Sequence, residues 1–209
     1  MKIAYITAGA AGMYCGTCMQ DNSLAAALMA DGHEVALLPT YTPTRTDEKN
    51  VADEHMFFGA LNVYLQQKTG FFRRHRILDR LLDSKTVLRW VAKAAGKAST
   101  DAADLGSLTL SMLEGEKGHQ ARELDKLVDF LEEIIKPDVV HLSHTLFAGF
   151  ARRIRERLGI PVVCALQGED LFFDDLVEPY KSKIEAEVRE RCEEIDAFTA
   201  PCVYYADFM

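Results

Sequence analysis

The residues best suited to chemistry in this chain are Gln167, Glu169 and Asp170, which stand with Gly168 directly after an apolar run at 160–166. A strand ending there delivers three polar side chains and a flexible glycine to one sheet edge, the edge at which open α/β folds bind ligands. A solvated turn ahead of a helix accounts for the same spacing equally well. Tyr14-Cys15-Gly16-Thr17-Cys18 offers a different chemistry. A Cys-x-x-Cys between a strand and a helix N-terminus is the thioredoxin arrangement, where the dipole and free amides lower one thiol pKa. A thioredoxin domain is, however, far shorter than this chain, and its pair follows a central strand, not the first. One such pair supplies only two zinc ligands, so no metal is expected. His141 falls inside an expected strand and reads as a hydrogen-bonded core residue, whereas His144 opens the next loop and can face a ligand. Glu185 and Glu193 form an E-x7-E pair on an acid-rich helix, where chance explains it.

The elements that must position these groups follow from periodicity. Residues 2–7 (KIAYIT) form a short apolar strand, and three Gly and three Ala within 8–16 then turn the backbone with little side-chain bulk. Thr17 and Gln20 have capping-box spacing, which starts a helix near Cys18. Cys18, Asn22, Ala25, Leu28 and Met29 share one face of it, and Gly32 suits a left-handed C-cap before a second strand at 34–38. Strand, glycine loop and helix are the first unit of a doubly wound sheet, with an anion-binding corner at the carboxyl edge. Gly9, Gly12 and Gly16 are spaced G-x-x-G-x-x-x-G and no acid ends the second strand, which argues against a dinucleotide site.

Further along, 39–50 is a polar connection and 61–65 a third strand. Between about 70 and 118 the sheet pattern gives way to a helical insertion, with Ile77, Leu78, Leu81, Leu82, Leu88, Val91, Ala92 and Ala95 at helical spacing. The βα rhythm then resumes. Leu124, Leu127, Val128, Leu131, Ile134 and Ile135 make a stripe that Lys136-Pro137 terminates. A strand at 139–143 follows, then a helix burying Phe147, Phe150, Ala151, Ile154 and Leu158 and closed by Gly159. Next come the buried strand at 160–166, a helix at 179–194, a short strand at 197–200 and a helix from 203.

The 209 residues, 48% hydrophobic and 27% charged, are ordinary for one sizeable soluble domain. No apolar run is long enough to span a bilayer and no signal pattern opens the chain, so a cytoplasmic location is expected. Five cysteines, an odd number, fit reduced thiols better than a disulfide framework. A net charge of −8 argues against nucleic-acid binding but hides an asymmetry. Residues 68–97 carry nine Lys and Arg against two Asp, whereas 169–194 carry ten acids against four bases. An apolar stripe opposite clustered Arg is compatible with peripheral membrane contact, and equally with a helix packed on its own domain.

The assembled pattern resembles the N-terminal domain of the retaining glycosyltransferases of family four. The segments that carry it are the opening strand and glycine loop, Asn22-Ser-Leu-Ala-Ala-Ala-Leu, Asp31-Gly32-His33-Glu34-Val35, Pro137-Asp138-Val139-Val140-His141, and Gly159-Ile160-Pro161-Val162-Val163 before Gln167-Gly168-Glu169-Asp170. The resemblance implies the two-domain GT-B fold, with this chain as a single Rossmann-like, doubly wound parallel sheet covered by helices on both faces and bearing the basic insertion. It implies transfer of a sugar from a nucleotide-sugar to a carbohydrate or lipid-linked acceptor. This domain would take the acceptor side, and a C-terminal Rossmann domain lying outside these residues would hold the donor. By position, Gly12 and Met13 would lie in the loop near the donor phosphates. Tyr14, His144, Gln167, Gly168, Glu169 and Asp170 would line the acceptor and donor-sugar cleft. Gln167 stands where the family usually has a sugar-contacting His, and an amide can bond a hydroxyl but not act as acid or base. No catalytic residue, cofactor or metal is implied in this portion, which is expected to be inactive alone. The alternatives from other classes are a non-catalytic binding module and a thiol-disulfide oxidoreductase using Cys15 and Cys18.

Overall fold

A computed structural model describes residues 1–9, 14–59 and 102–209 of the chain. Gly12, Met13, the expected strand at 61–65 and the basic stripe at 77–95 lie outside the described residues.

Among the described residues, five strands form one all-parallel sheet: β1 (Lys2–Thr7), β2 (Glu34–Pro39), β3 (Val139–Leu142), β4 (Val162–Ala165) and β5 (Ala197–Thr199). Their spatial order, β2-β1-β3-β4-β5, reverses its direction of growth at β1. Parallel strands need crossover connections, and the apolar runs of β1 and β4 are those of strands covered on both faces. Alternation along β1 divides the core in two. Ala4 and Ile6 join Leu38, Val140, Leu142, Val162 and Cys164 on one face, whereas Ile3 and Tyr5 join Val35, Leu37 and Ala25 on the other. The fold is therefore Rossmann-like α/β, with helices on both faces of the sheet.

The second face is covered by α1 (Gly16–Ala30), whose Cys18, Asp21, Asn22 and Ala25 are buried. The expected capping box does not form. Cys15 occupies the N-cap without a side-chain bond, and the Thr17 hydroxyl instead reaches the Gln167 carbonyl at 3.5 Å. At the other end Gly32 adopts φ +89° and donates its N–H to Met29 O, the left-handed closure that its position predicts. Gly9, at the start of the loop after β1, has φ +75°, and a Cβ there would stand 1.9 Å from the Thr42 carbonyl oxygen. Both conformation and close approach thus require glycine at this corner.

The first face carries α2 (Ala102–Leu113), α3 (Ala121–Phe130), α4 (Ala151–Leu158) and α6 (Tyr180–Cys192). The described end of the insertion is helical, as expected, and α2 contributes Met112 and Leu113 to the main core. One residue of the apolar stripe departs from expectation. Ile134 is 62% exposed, because α3 runs on into a π-helical turn, Leu131–Ile135, that keeps Leu131 and Ile135 inward and rotates Ile134 off the face. Phe147 and Phe150 are buried from a 3-10 segment, Thr145–Phe150, ahead of α4, which Gly159 closes at φ +66°. The chain ends in α5 (Glu169–Asp175), then α6, β5 and α7 (Val203–Phe208). Among the described residues no helix is long and apolar enough to cross a membrane.

Candidate functional site

The carboxyl ends of β1, β3 and β4 meet where the strand order reverses, the position at which open α/β sheets form a crevice. Parallel register sets Tyr5 beside His141 and His141 beside Val163, so these residues share the face that α1 covers. Thr7, two residues past Tyr5, shares it as well. Asp21, completely buried in α1, meets both: Tyr5 Oη donates to Oδ1 at 2.7 Å and Thr7 Oγ1 to Oδ2 at 2.5 Å. Gln167, just beyond β4, completes the network by donating Nε2 to Asp21 Oδ1 and to Ser143 O, each at 2.8 Å.

Burial governs the ionisation of this cluster. It raises the Asp21 carboxyl above its ordinary value, against the opposing bonds from Thr7, Gln167 and Tyr5. It also pushes the Tyr5 phenol far up, with the Asp21 charge acting in the same sense. His141, whose ring lies 4.2 Å from that of Tyr5, is held down to about 4 by burial. The expectation of a hydrogen-bonded core histidine is corrected in one respect: His141 Nδ1 has no hydrogen-bond partner. His144 stacks on Phe147 at 4.3 Å, and burial lowers it to about 4 although the Glu169 charge opposes this. Gln167 Oε1, Ser143 Oγ and His144 Nδ1 are likewise buried without partners. Leaving a buried polar atom unpaired costs about 1–3 kcal/mol, so such a group of atoms at one sheet edge calls for an explanation.

The turn after β4 is not a solvated one. Glu169 is 5% exposed and accepts from Thr145 N at 2.8 Å, Thr145 Oγ1 at 3.2 Å and Gln167 N at 2.7 Å, tying the loop after β3 to the loop after β4. Gly168, at φ +87°, donates its N–H to Tyr205 Oη at 2.7 Å, and that hydroxyl donates to Asp170 Oδ1 at 2.8 Å. Helix α7 is thereby latched onto the start of α5. Glu169 and Asp170 are thus engaged within the protein, and Gln167 keeps a free acceptor. Tyr14 is 56% exposed, with the Arg45 guanidinium 4.4 Å over its ring. Asp21 and Tyr205 were absent from the expected site. A signal for Asp21 existed: an acid three residues after Cys18 and four before Ala25 lies in the apolar stripe of α1.

The five cysteines are free thiols. Burial, and then neighbouring Cys15, pushes the Cys18 thiol up to about 12, so it is protonated at neutral pH and is not itself a ready nucleophile. Elsewhere, a groove of about 280 Å³ between α3 and α4 is lined by Arg122, Asp125, Lys126, Asp129, Arg153 and Arg157. Its charges pair across the two helices, Arg153 with Asp125 at 2.9 Å and Arg157 with Asp129 at 3.1 Å, which makes it a ladder of ion pairs.

The two histidines make stability depend on pH. Their folded-state values lie below the ordinary one of 6.5, so their contribution is present above pH 6.5 and is lost as pH falls toward 4. The unfolding midpoint is expected to drop across this window, and a His141→Gln, His144→Gln double variant should show a flatter profile. Parallel profiles for the two proteins, measured by circular dichroism, would refute the assignment.

The fold and this edge define a Rossmann-like α/β domain with a buried polar network at its topological switch point. No protein-family profile matches the chain, and no curated protein matches it.

Proposed function

We propose that this domain is the acceptor-side half of a retaining glycosyltransferase of the GT-B type, which transfers a sugar from a nucleotide-sugar to a carbohydrate or lipid-linked acceptor. The observation that carries the reading is the Gln167 carboxamide. Its NH2 is committed to Asp21 and Ser143 and its Oε1 is unpartnered, as are Ser143 Oγ and His144 Nδ1 in the loop after β3. Neutral acceptors and hydroxyls on a rigid sheet edge suit the hydroxyl groups of a sugar, and an anion would gain little beside the Asp21 and Glu169 carboxylates. The resemblance in segment order supports the same class. In this reading a second Rossmann domain binds the nucleotide, the loop containing Gly12 and Met13 approaches the donor phosphates, and no metal or cofactor takes part. By its charge the basic stretch at 68–97 suits contact with an anionic membrane surface, and in this reading nucleic acid is not a partner.

The 209-residue chain is expected to bind simple glycosides weakly and to show no transfer from UDP-glucose or GDP-mannose beyond slow hydrolysis. Saturation-transfer NMR and a product assay measure the two. Sustained turnover by this chain would overturn the half-enzyme assignment, and absence of any glycoside binding at tens of millimolar would overturn the acceptor-side one.

A further inference from the structure

The Gln167 side chain has a single usable orientation. Nε2 lies 2.8 Å from Ser143 O, a backbone carbonyl that can only accept, and 2.8 Å from Asp21 Oδ1, which already accepts from Tyr5. Turning the carboxamide over would set its oxygen against an acceptor on each side, Asp21 Oδ1 and Ser143 O, with no donor between them. The second carboxylate oxygen of Asp21 is taken by Thr7 at 2.5 Å, so the carboxylate is itself pinned from two strand positions and cannot swing to follow a rotating amide. What remains of Gln167 is Oε1, buried and unpartnered, with the equally unpartnered and fully buried Ser143 hydroxyl on the residue whose carbonyl Gln167 holds.

We infer that Asp21 is a positioning residue that locks Gln167 with its carbonyl oxygen toward the ligand, so that this edge accepts a hydrogen bond from a hydroxyl and selects a neutral polyhydroxylated ligand over a phosphate. The identity of that ligand as a glycoside rests on the function proposed above; the locked carboxamide does not. An inverted carboxamide would present N–H donors and favour an anion, and the two acceptors behind it exclude that state. Asp21 touches no ligand in this scheme. It acts through Gln167.

The test uses the 15N-labelled chain, with methyl α-D-glucopyranoside, methyl α-D-mannopyranoside and inorganic phosphate as probes. The two Gln167 side-chain amide protons are expected to be resolved and to exchange with solvent at least tenfold more slowly than those of a free glutamine. A glycoside should shift them and phosphate should not. Asp21→Asn keeps the shape but replaces an obligate acceptor with an amide. It should release the protection and weaken glycoside binding about tenfold. Gln167→Leu, which leaves Asp21 its Tyr5 and Thr7 bonds, should abolish glycoside shifts at neighbouring backbone amides. Unprotected Gln167 protons in the wild-type chain, or larger shifts with phosphate than with glycoside, would overturn the inference, and so would equal glycoside affinity in wild type and Asp21→Asn, although that last result leaves the glycosyltransferase reading intact. Protected Gln167 protons in a chain that binds neither glycoside would sink that reading and uphold the Asp21 lock.

Discussion

Asp21→Ala is expected to destabilise the domain by about 3 kcal/mol or more, since it strands three buried donors that each cost about 1–3 kcal/mol unpaired. The carboxylate is completely buried, and its loss leaves the Tyr5 and Thr7 hydroxyls and one Gln167 N–H without an acceptor in a dry interior. For a chain of this length that corresponds to a midpoint lower by on the order of 10 °C. Urea unfolding followed by circular dichroism measures it, and a loss under about 1 kcal/mol would mean that the network is not formed in solution. Asp21→Asn sharpens the test through pH. Because burial raises the folded-state pKa of Asp21, its titration favours the native state below the unfolded value and loses that contribution as pH rises through the folded one. The deficit of the Asn variant relative to wild type should therefore shrink as pH rises from about 4 toward neutrality.

Arg191→Ala is expected to cost about 3 kcal/mol, for a different reason. The Arg191 side chain is 2% exposed within α6, where Nε bonds Glu187 at 2.8 Å and Nη1 lies 3.5 Å from Glu194. Glu194 is shared with Arg152, which in turn pairs with Glu116 at 3.2 Å, so one cation underpins a chain of charges linking α6, α4 and the 3-10 turn Gly115–Lys117. Truncation leaves Glu187 without its cation and opens a cavity beneath it. Arg191→Met should recover most of the loss, since it fills the volume and Glu187, 21% exposed, can hydrate. Chemical denaturation of both variants decides the matter. If Met costs as much as Ala, the charge and not the packing is what the site requires.

These two residues mark where reading along the chain stops being informative. The apolar runs of β1, β3 and β4, the stripe of α3 and the left-handed closures at Gly32 and Gly159 are legible because each depends on neighbours within one or two turns. The parallel α/β class follows from their alternation, and the polar turn after β4 from its position at a strand end. The local rules mislead where a distant partner competes. Thr17 has the spacing of a cap, but its hydroxyl turns to the Gln167 carbonyl. Ile134 keeps the helical period, but the helix widens beneath it. Asp21 looks like an ordinary polar residue of α1 until the register of β1 against β3 and β4 brings Tyr5, Thr7 and Gln167 around it, the last from 146 positions away. Period and propensity report which face of an element turns inward, because that follows from backbone geometry. Which polar atoms meet inside, and which of them stay unpaired, depends on how separate elements are stacked, and that is set by packing across the sheet.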